Sequence, residues 1–334
     1  MSESAEAAAS DRAGAAVSDN ADPAVSDRAG SVASGSAGTV TVVVPTRDRP
    51  SQLAACLDSV RSALREGDEL VVVDSASRDA AAVASVARAA GARLVRCELP
   101  GVNRARNAGW RAGSRPVVLF TDDDVVVEAR WRDALFDALS SDPDLGFVTG
   151  RILSPVGEQP SRDVAIKRDE TPERYDRSSV GNLGHGASLA VGRDVLERIG
   201  GWDESLGVGG RFGSSPEHDL FDRVFATGLG GGFEPSALAY HSQWRGPRRL
   251  LLLDARYGYG TGARLAKLLR IDRRRARLVA ADYLRGGLSE LRRELRARQG
   301  YPAIGTVLRL LAIPFGFLRA VVVPLRDGHY RTRG

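Results

Sequence analysis

Cysteine is nearly absent from this chain. Cys56 and Cys97 stand far apart and no Cys-x-x-Cys occurs. A disulfide framework and a zinc ribbon are therefore excluded, and a reducing compartment is favoured over a secreted one. The start, Met1-Ser-Glu-Ser-Ala5, has neither a basic region nor an apolar run, so no signal peptide is expected. Residues 1–38 contain no aromatic, leucine or isoleucine, and Ser26-Asp27-Arg28-Ala29-Gly30 repeats Ser10-Asp11-Arg12-Ala13-Gly14. Such a stretch cannot offset its ordering entropy, so it reads as a disordered tail without chemistry. A Gly-x-Gly-x-x-Gly is missing after the first apolar run, where Pro45-Thr-Arg-Asp-Arg-Pro50 stands instead. That omission excludes a dinucleotide-dependent oxidoreductase.

The 334 residues are 43% hydrophobic, enough for one large domain or a domain with an appendage. The net charge of +5 conceals a division. Residues 245–334 carry 21 basic against 6 acidic side chains, so an acidic body precedes a basic end. Order begins at Thr39. β-Branched runs at Thr39–Val44, Leu70–Asp74, Ala92–Cys97 and Pro116–Thr121 alternate with apolar-periodic stretches: the one Ser51 is expected to cap, then Ala80–Ala90, Asn103–Gly113 and Trp131–Ser140. Alternation of this kind predicts βαβ units and a parallel sheet with both faces covered. A polar segment with three prolines follows at Ser154–Gly184, expected to be a functional or mobile loop. Order resumes with a strand at Ala187–Val191, helices at Asp194–Ile199 and Glu217–Thr227, and a strand at Phe233–Tyr240. Gly228–Gly232 reads as a turn.

Ligands of an open parallel sheet bind beyond the carboxyl ends of its strands. The residues there are Pro45-Thr46-Arg47-Asp48-Arg49, Asp74-Ser-Ala-Ser77, Arg106-Asn107 and Asp122-Asp123-Asp124. Three adjacent carboxylates repel one another unless a cation neutralises them, and oxygen ligands suit magnesium or manganese carrying a diphosphate. A solvated acidic turn is the plain alternative for the triplet by itself.

The triplet does not stand by itself. Val-Val-Val-Pro-Thr-Arg-Asp-Arg-Pro at 42–50, Val-Val-Val-Asp-Ser-Ala-Ser at 71–77, Ala-Arg-Asn-Ala-Gly at 105–109 and Leu-Phe-Thr-Asp-Asp-Asp at 119–124 resemble the family-2 glycosyltransferases of GT-A fold. So do Gly-Gly-Trp-Asp-Glu at 200–204, Glu-His-Asp-Leu-Phe at 217–221 and Glu-Pro-Ser-Ala-Leu-Ala-Tyr-His at 234–241. The resemblance implies an α/β, Rossmann-like, mainly parallel mixed sheet flanked by helices over residues 39–245. It also implies an inverting transfer of a sugar from a nucleotide-diphosphate donor to an acceptor hydroxyl on a glycan or lipid-linked molecule. Carried over by motif, Pro45, Thr46, Arg47, Asp74, Arg106, Asp122 and Asp123 lie along the nucleotide sugar. Asp124, Asp122 and His241 hold Mn2+ or Mg2+. Glu217 matches the base position, where the family has Asp, and Asp219 is the second candidate. His185, Trp202 and Asp203 fall where the acceptor would lie. Ser215-Pro216-Glu217 is equally a helix start, which is compatible with a base. A non-catalytic nucleotide-sugar- or lipid-binding protein on the same fold is the alternative.

Residues 246–334 read as a helical, arginine-rich extension. Ala303–Leu325 is apolar except for Thr306, Arg309 and Arg319, long enough to cross a bilayer but interrupted by Pro314. A helix lying in the membrane interface and an ordinary helix packed on the domain are both consistent with it. The arginines interleave with leucine rather than with aromatic residues, which speaks against nucleic acid. The expected place is the cytoplasm, peripheral at the inner face of the cell membrane.

Overall fold

The computed structural model describes residues 38–155, 164–243 and 246–331. The expected tail at 1–38 lies, but for Gly38, outside the described residues, as does part of the expected loop at 154–184. Four parallel strands form the first half of the sheet: β1 (Val40–Thr46), β2 (Glu69–Ser75), β3 (Arg93–Cys97) and β4 (Val117–Thr121). Helices α1 (Pro50–Ala63), α2 (Ala80–Ala89) and α3 (Val102–Ala112) connect them. β1 and β4 are buried along their whole length, as apolar strands covered on both faces must be. Alternation of side chains sends Val40, Val42 and Val44 into one layer with Leu53, Leu57 and Val60 of α1. Val43 points the other way, towards α3, where Gly109 permits the approach: a Cβ there would lie 2.3 Å from the Val43 side chain.

Beyond β4 the sheet becomes mixed. β5 (Val125–Val127), α4 (Trp131–Ser140), β6 (Leu145–Leu153), β7 (Glu173–Tyr175), β8 (Ser188–Gly192), α5 (Arg193–Ile199), α6 (Pro216–Ala226) and β9 (Gly230–His241) follow in sequence. The strand order is β3-β2-β1-β4-β8-β6-β9-β5, with β7 paired to β9. β8 runs antiparallel to β4 and β6, and β6 parallel to β9. This is a GT-A architecture, a mainly parallel sheet of nine strands between helices, as the resemblance implies.

Four sequence expectations need correction. β5, β6 and β7 were not foreseen, and β7 lies inside the stretch expected to be loop. Gly230–Gly232 is strand rather than turn, because a Cβ on Gly231 would meet the Phe147 ring at 2.1 Å and glycine lets β9 pass over it. Ser51 does not cap α1, which begins at Pro50 after Arg49. Ser215 precedes α6 with φ +60° and makes no side-chain cap.

The C-terminal region is helical: α7 (Pro247–Ile271), α8 (Arg273–Arg296) and α9 (Gly300–Val321), then a short hairpin of β10 (Leu325–Arg326) and β11 (His329–Tyr330). α7 and α9 meet backbone to backbone. A Cβ on Gly258 would lie 1.9 Å from the Arg309 carbonyl oxygen, and one on Gly262 2.0 Å from that of Ile313. Buried ion pairs fasten this trio to the sheet. Lys267 of α7 reaches Asp219 of α6 at 2.6 Å and Asp203 at 2.5 Å. Arg264 and Arg275 share Asp222 of α6 at 2.6 and 2.5 Å. The Tyr330 amide donates to Asp203 at 2.9 Å.

Candidate active site

The loop after β1 and the turn after β4 converge because their strands are neighbours in register. The Thr46 hydroxyl donates to Asp123 at 2.8 Å. One Arg49 nitrogen donates to Asp123 at 2.9 Å and to Asp124 at 3.1 Å, so a guanidinium bridges the acidic turn. Burial raises the Asp123 carboxyl to about 6 even though Arg49 pulls it down, and the negative Asp124 adds to the rise. Arg49 stands among the strand-end residues but receives no role from the resemblance; its signal is its place between the strand end and the Pro50 that opens α1.

Asp122 turns away from its two neighbours and accepts a 2.9 Å hydrogen bond from Arg106. The Arg106 guanidinium, 4.6 Å from the centre of the Trp202 ring, is stacked on the indole and held in a fixed orientation. Asp124 faces His241 instead, since Val125 and His241 are paired across β5 and β9. The His241 Nε2 lies 3.4 Å from an Asp124 oxygen, while Nδ1 is 3.0 Å from the Val164 carbonyl. A proton on Nδ1 for that carbonyl leaves Nε2 with its lone pair towards the carboxylate, the arrangement of a metal-binding histidine. Among the described residues no three His, Cys, Asp or Glu side chains converge. Asp124 and His241 are the pair that could contribute to holding a divalent ion here, with the remaining positions left to water and substrate phosphate, as Mg2+ is commonly held.

Glu217 sits in the first turn of α6 with its side chain 17% exposed, and His185 Nδ1 lies 3.7 Å from it, within charge–charge reach and beyond hydrogen-bond range. Burial pushes the Glu217 carboxyl up, but His185, His218 and Arg106 outweigh it and bring it down to about 2. His218 is itself brought to about 4, by burial first and then by Arg264, so at neutral pH it is uncharged.

Several expected residues are placed elsewhere. Trp202 is 1% exposed and packs edge-on against Phe120, leaving no indole face for an acceptor sugar. Asp203 is equally buried and taken up by Lys267 and Tyr330. Asp219 lies between Arg223 and Lys267 at 3.0 and 2.6 Å, so its oxygens are committed to cations and it is no available base. Asp74, 1% exposed, is bound by Arg96 and the Ser77 amide, so its carboxylate does not stand open to a base. Pro45 is buried in β1, and Arg47 extends outward with half its side chain exposed. Thr46, Arg106, Asp122, Asp123, Asp124, His241, His185 and Glu217 gather along one edge of the sheet, at strand ends or on the helices and loops beside them.

A sheet of this strand order, with an acidic turn after its central strand β4, has the GT-A fold. Residues 41–199 match the model of glycosyl transferase family 2. No curated protein matches the sequence. The solved structure of mannosyltransferase PcManGT from Pyrobaculum calidifontis, in complex with GDP-Man and Mn2+, superposes with a TM-score of 0.56 at 21% identity. The match covers 84% of this chain and 86% of that one, and it supports the fold alone. S. aureus TarS aligns over 66% of this chain and 39% of its own at 14% identity, with a TM-score of 0.47, too remote to carry an argument.

Proposed function

We propose that this glycosyltransferase moves a hexose or deoxyhexose from a nucleotide-diphosphate donor to a hydroxyl of a glycan or lipid-linked acceptor, with inversion at the anomeric carbon. The observation that carries the reading is the placement of Arg106. It binds Asp122 of the acidic turn and is near enough to lower the Glu217 carboxyl, which brings the donor and acceptor ends of the reaction together. Asp124 and His241, with Asp122 at the rim, are the residues that would hold Mn2+ or Mg2+. The bound ion would offset the charge that develops on the departing diphosphate.

In this reading Thr46 and Arg49 shape the donor loop, and Arg106 orients the diphosphate through a guanidinium already fixed by Trp202. Glu217 receives the proton of the acceptor hydroxyl as the new C–O bond forms. A carboxylate held near 2 is a weak base, so the proton moves only once the oxygen has become acidic through bonding to the sugar carbon. Residues 39–245 form the catalytic domain in this reading and 246–334 the extension. The protein works in the cytoplasm at the inner face of the membrane.

A panel of nucleotide sugars with Mn2+ tests the proposal. One donor is expected to be hydrolysed slowly, and Asp124→Ala to abolish that hydrolysis. Glu217→Gln should keep nucleoside-diphosphate stabilisation in a thermal-shift assay while losing transfer. Full metal-dependent hydrolysis in Asp124→Ala would overturn the metal assignment, and unimpaired transfer in Glu217→Gln the base.

A further inference from the structure

Helix α9 is buried on one side only. That side meets the α7 backbone at Gly258 and Gly262, and its Arg309 pairs with Glu290 of α8. On the opposite side Ile304, Leu308, Leu311, Phe315, Leu318 and Val322 alternate at spacings of four and three, which aligns them in one row. They are 37–78% exposed, and at 1.5 Å per residue the row is about 27 Å long. A contiguous apolar patch of such length on a protein surface marks an interaction site.

Charge indicates what covers it. Among residues 273–321 nine arginines are exposed, and every Asp or Glu there is buried or half-buried. On α8, Arg285 and Arg292 run alongside a second exposed row, Leu284, Leu288 and Leu295. A second copy of the chain would set cations against cations, and nucleic acid has no use for rows of leucine. An anionic bilayer supplies both hydrocarbon for the row and phosphates for the arginines. α9 is long and apolar enough to cross a membrane. Its mid-helix arginine is held by Glu290, however, and its backbone touches α7, which keeps it beside its neighbours and in the plane of the interface.

We propose that the outward face of α9, flanked by the arginines of α8, docks on an anionic lipid bilayer with the helix lying in the interface. The inference deepens the membrane location given above and rests on that reading for its purpose. α7 lies between α9 and the turn preceding Glu217, with Gly260 packed on Ser214. A lipid-anchored acceptor would then be separated from that turn by about two helix layers, roughly 20 Å.

Co-sedimentation of the full chain with vesicles tests this, using phosphatidylcholine alone or mixed with phosphatidylglycerol. Binding is expected only to the mixed vesicles, weakening as salt rises. Leu311→Glu with Phe315→Glu should lower it at least about tenfold. Arg285→Gln with Arg292→Gln should lower it about fivefold per arginine. Absence of binding to the mixed vesicles, or equal binding by the Glu variants, would overturn the proposal. So would a dimer in sedimentation velocity that the Glu variants dissolve. Donor hydrolysis without vesicles reports separately on the enzymatic reading and should be the same in all these variants.

Discussion

Replacing Lys267 by methionine removes one ammonium group that two carboxylates share. Lys267, Asp203 and Asp219 are each 1% exposed, so water cannot take the place of the lost cation. Removing one partner of a buried ion pair costs about 3–5 kcal/mol. Asp219 retains Arg223, and Asp203 retains the amides of Ser205 and Tyr330, which puts the expected loss near the lower end. At 2–4 °C per kcal/mol for a large domain, the melting temperature should fall by about 6–12 °C. The pH dependence gives a sharper test. In the native chain burial raises the Asp219 carboxyl, but Lys267 and then Arg223 lower it below its ordinary value. Its contribution is therefore present above the unfolded value of about 3.9 and lost as pH falls further. Without Lys267 the desolvation remains and the attraction is weaker, so the variant's carboxyl rises and binds a proton more readily when folded. The variant must then recover on mild acidification, and differential scanning calorimetry at about pH 7.5 and pH 5 should show the gap narrowing. A drop of under about 2 °C, or a gap that stays constant or widens with acid, would refute the claim that the Lys267 ammonium is one of the buried cations that hold α6 to the extension.

Three further outcomes follow from the same contacts. Gly262→Ala should destabilise by about 3 kcal/mol in urea unfolding, because its Cβ would lie 2.0 Å from a carbonyl oxygen of α9. Gly286→Ala, in the same trio but with nothing within 4 Å, should stabilise by about 0.5–1 kcal/mol. Glu217 has its folded carboxyl lowered to about 2 against about 4.3 unfolded, so its stabilisation is complete above that upper value and fades towards the lower one. The melting-point deficit of Glu217→Gln should accordingly be full at pH 6 and close as pH falls from about 4.3 to about 2.

Much of the sheet was legible because parallel strands buried on both faces leave unbroken β-branched runs, as in Val42–Val44, Val71–Val73 and Val117–Phe120. The second half was harder to read. β5 is only three residues long, and β6 carries Gly146, Gly150 and Arg151, which look like loop until β9 is seen beside them. Among the candidate site residues, the acidic turn and Arg106 are marked by their place beyond strand ends, and Glu217 only by the motif resemblance. The fate of Asp74, Trp202, Asp203 and Asp219 could not, because it is decided by distant partners such as Arg96, Phe120 and Lys267. The basic residues of α7 did leave a trace: Arg264 and Lys267 are one turn apart within an apolar helix, where cations belong only if carboxylates await them.

Helices usually meet through a compliant cushion of interleaved side chains that absorbs small shifts. Where Gly258 and Gly262 lie against α9 that cushion is missing, and Gly260 of the same turn presses on Ser214 just ahead of α6. Close-packed interiors compress very little. A push on the outer helix is therefore passed almost undamped to the segment from which Glu217 projects, so the placement of that carboxylate is answerable to whatever rests against the far side of the trio.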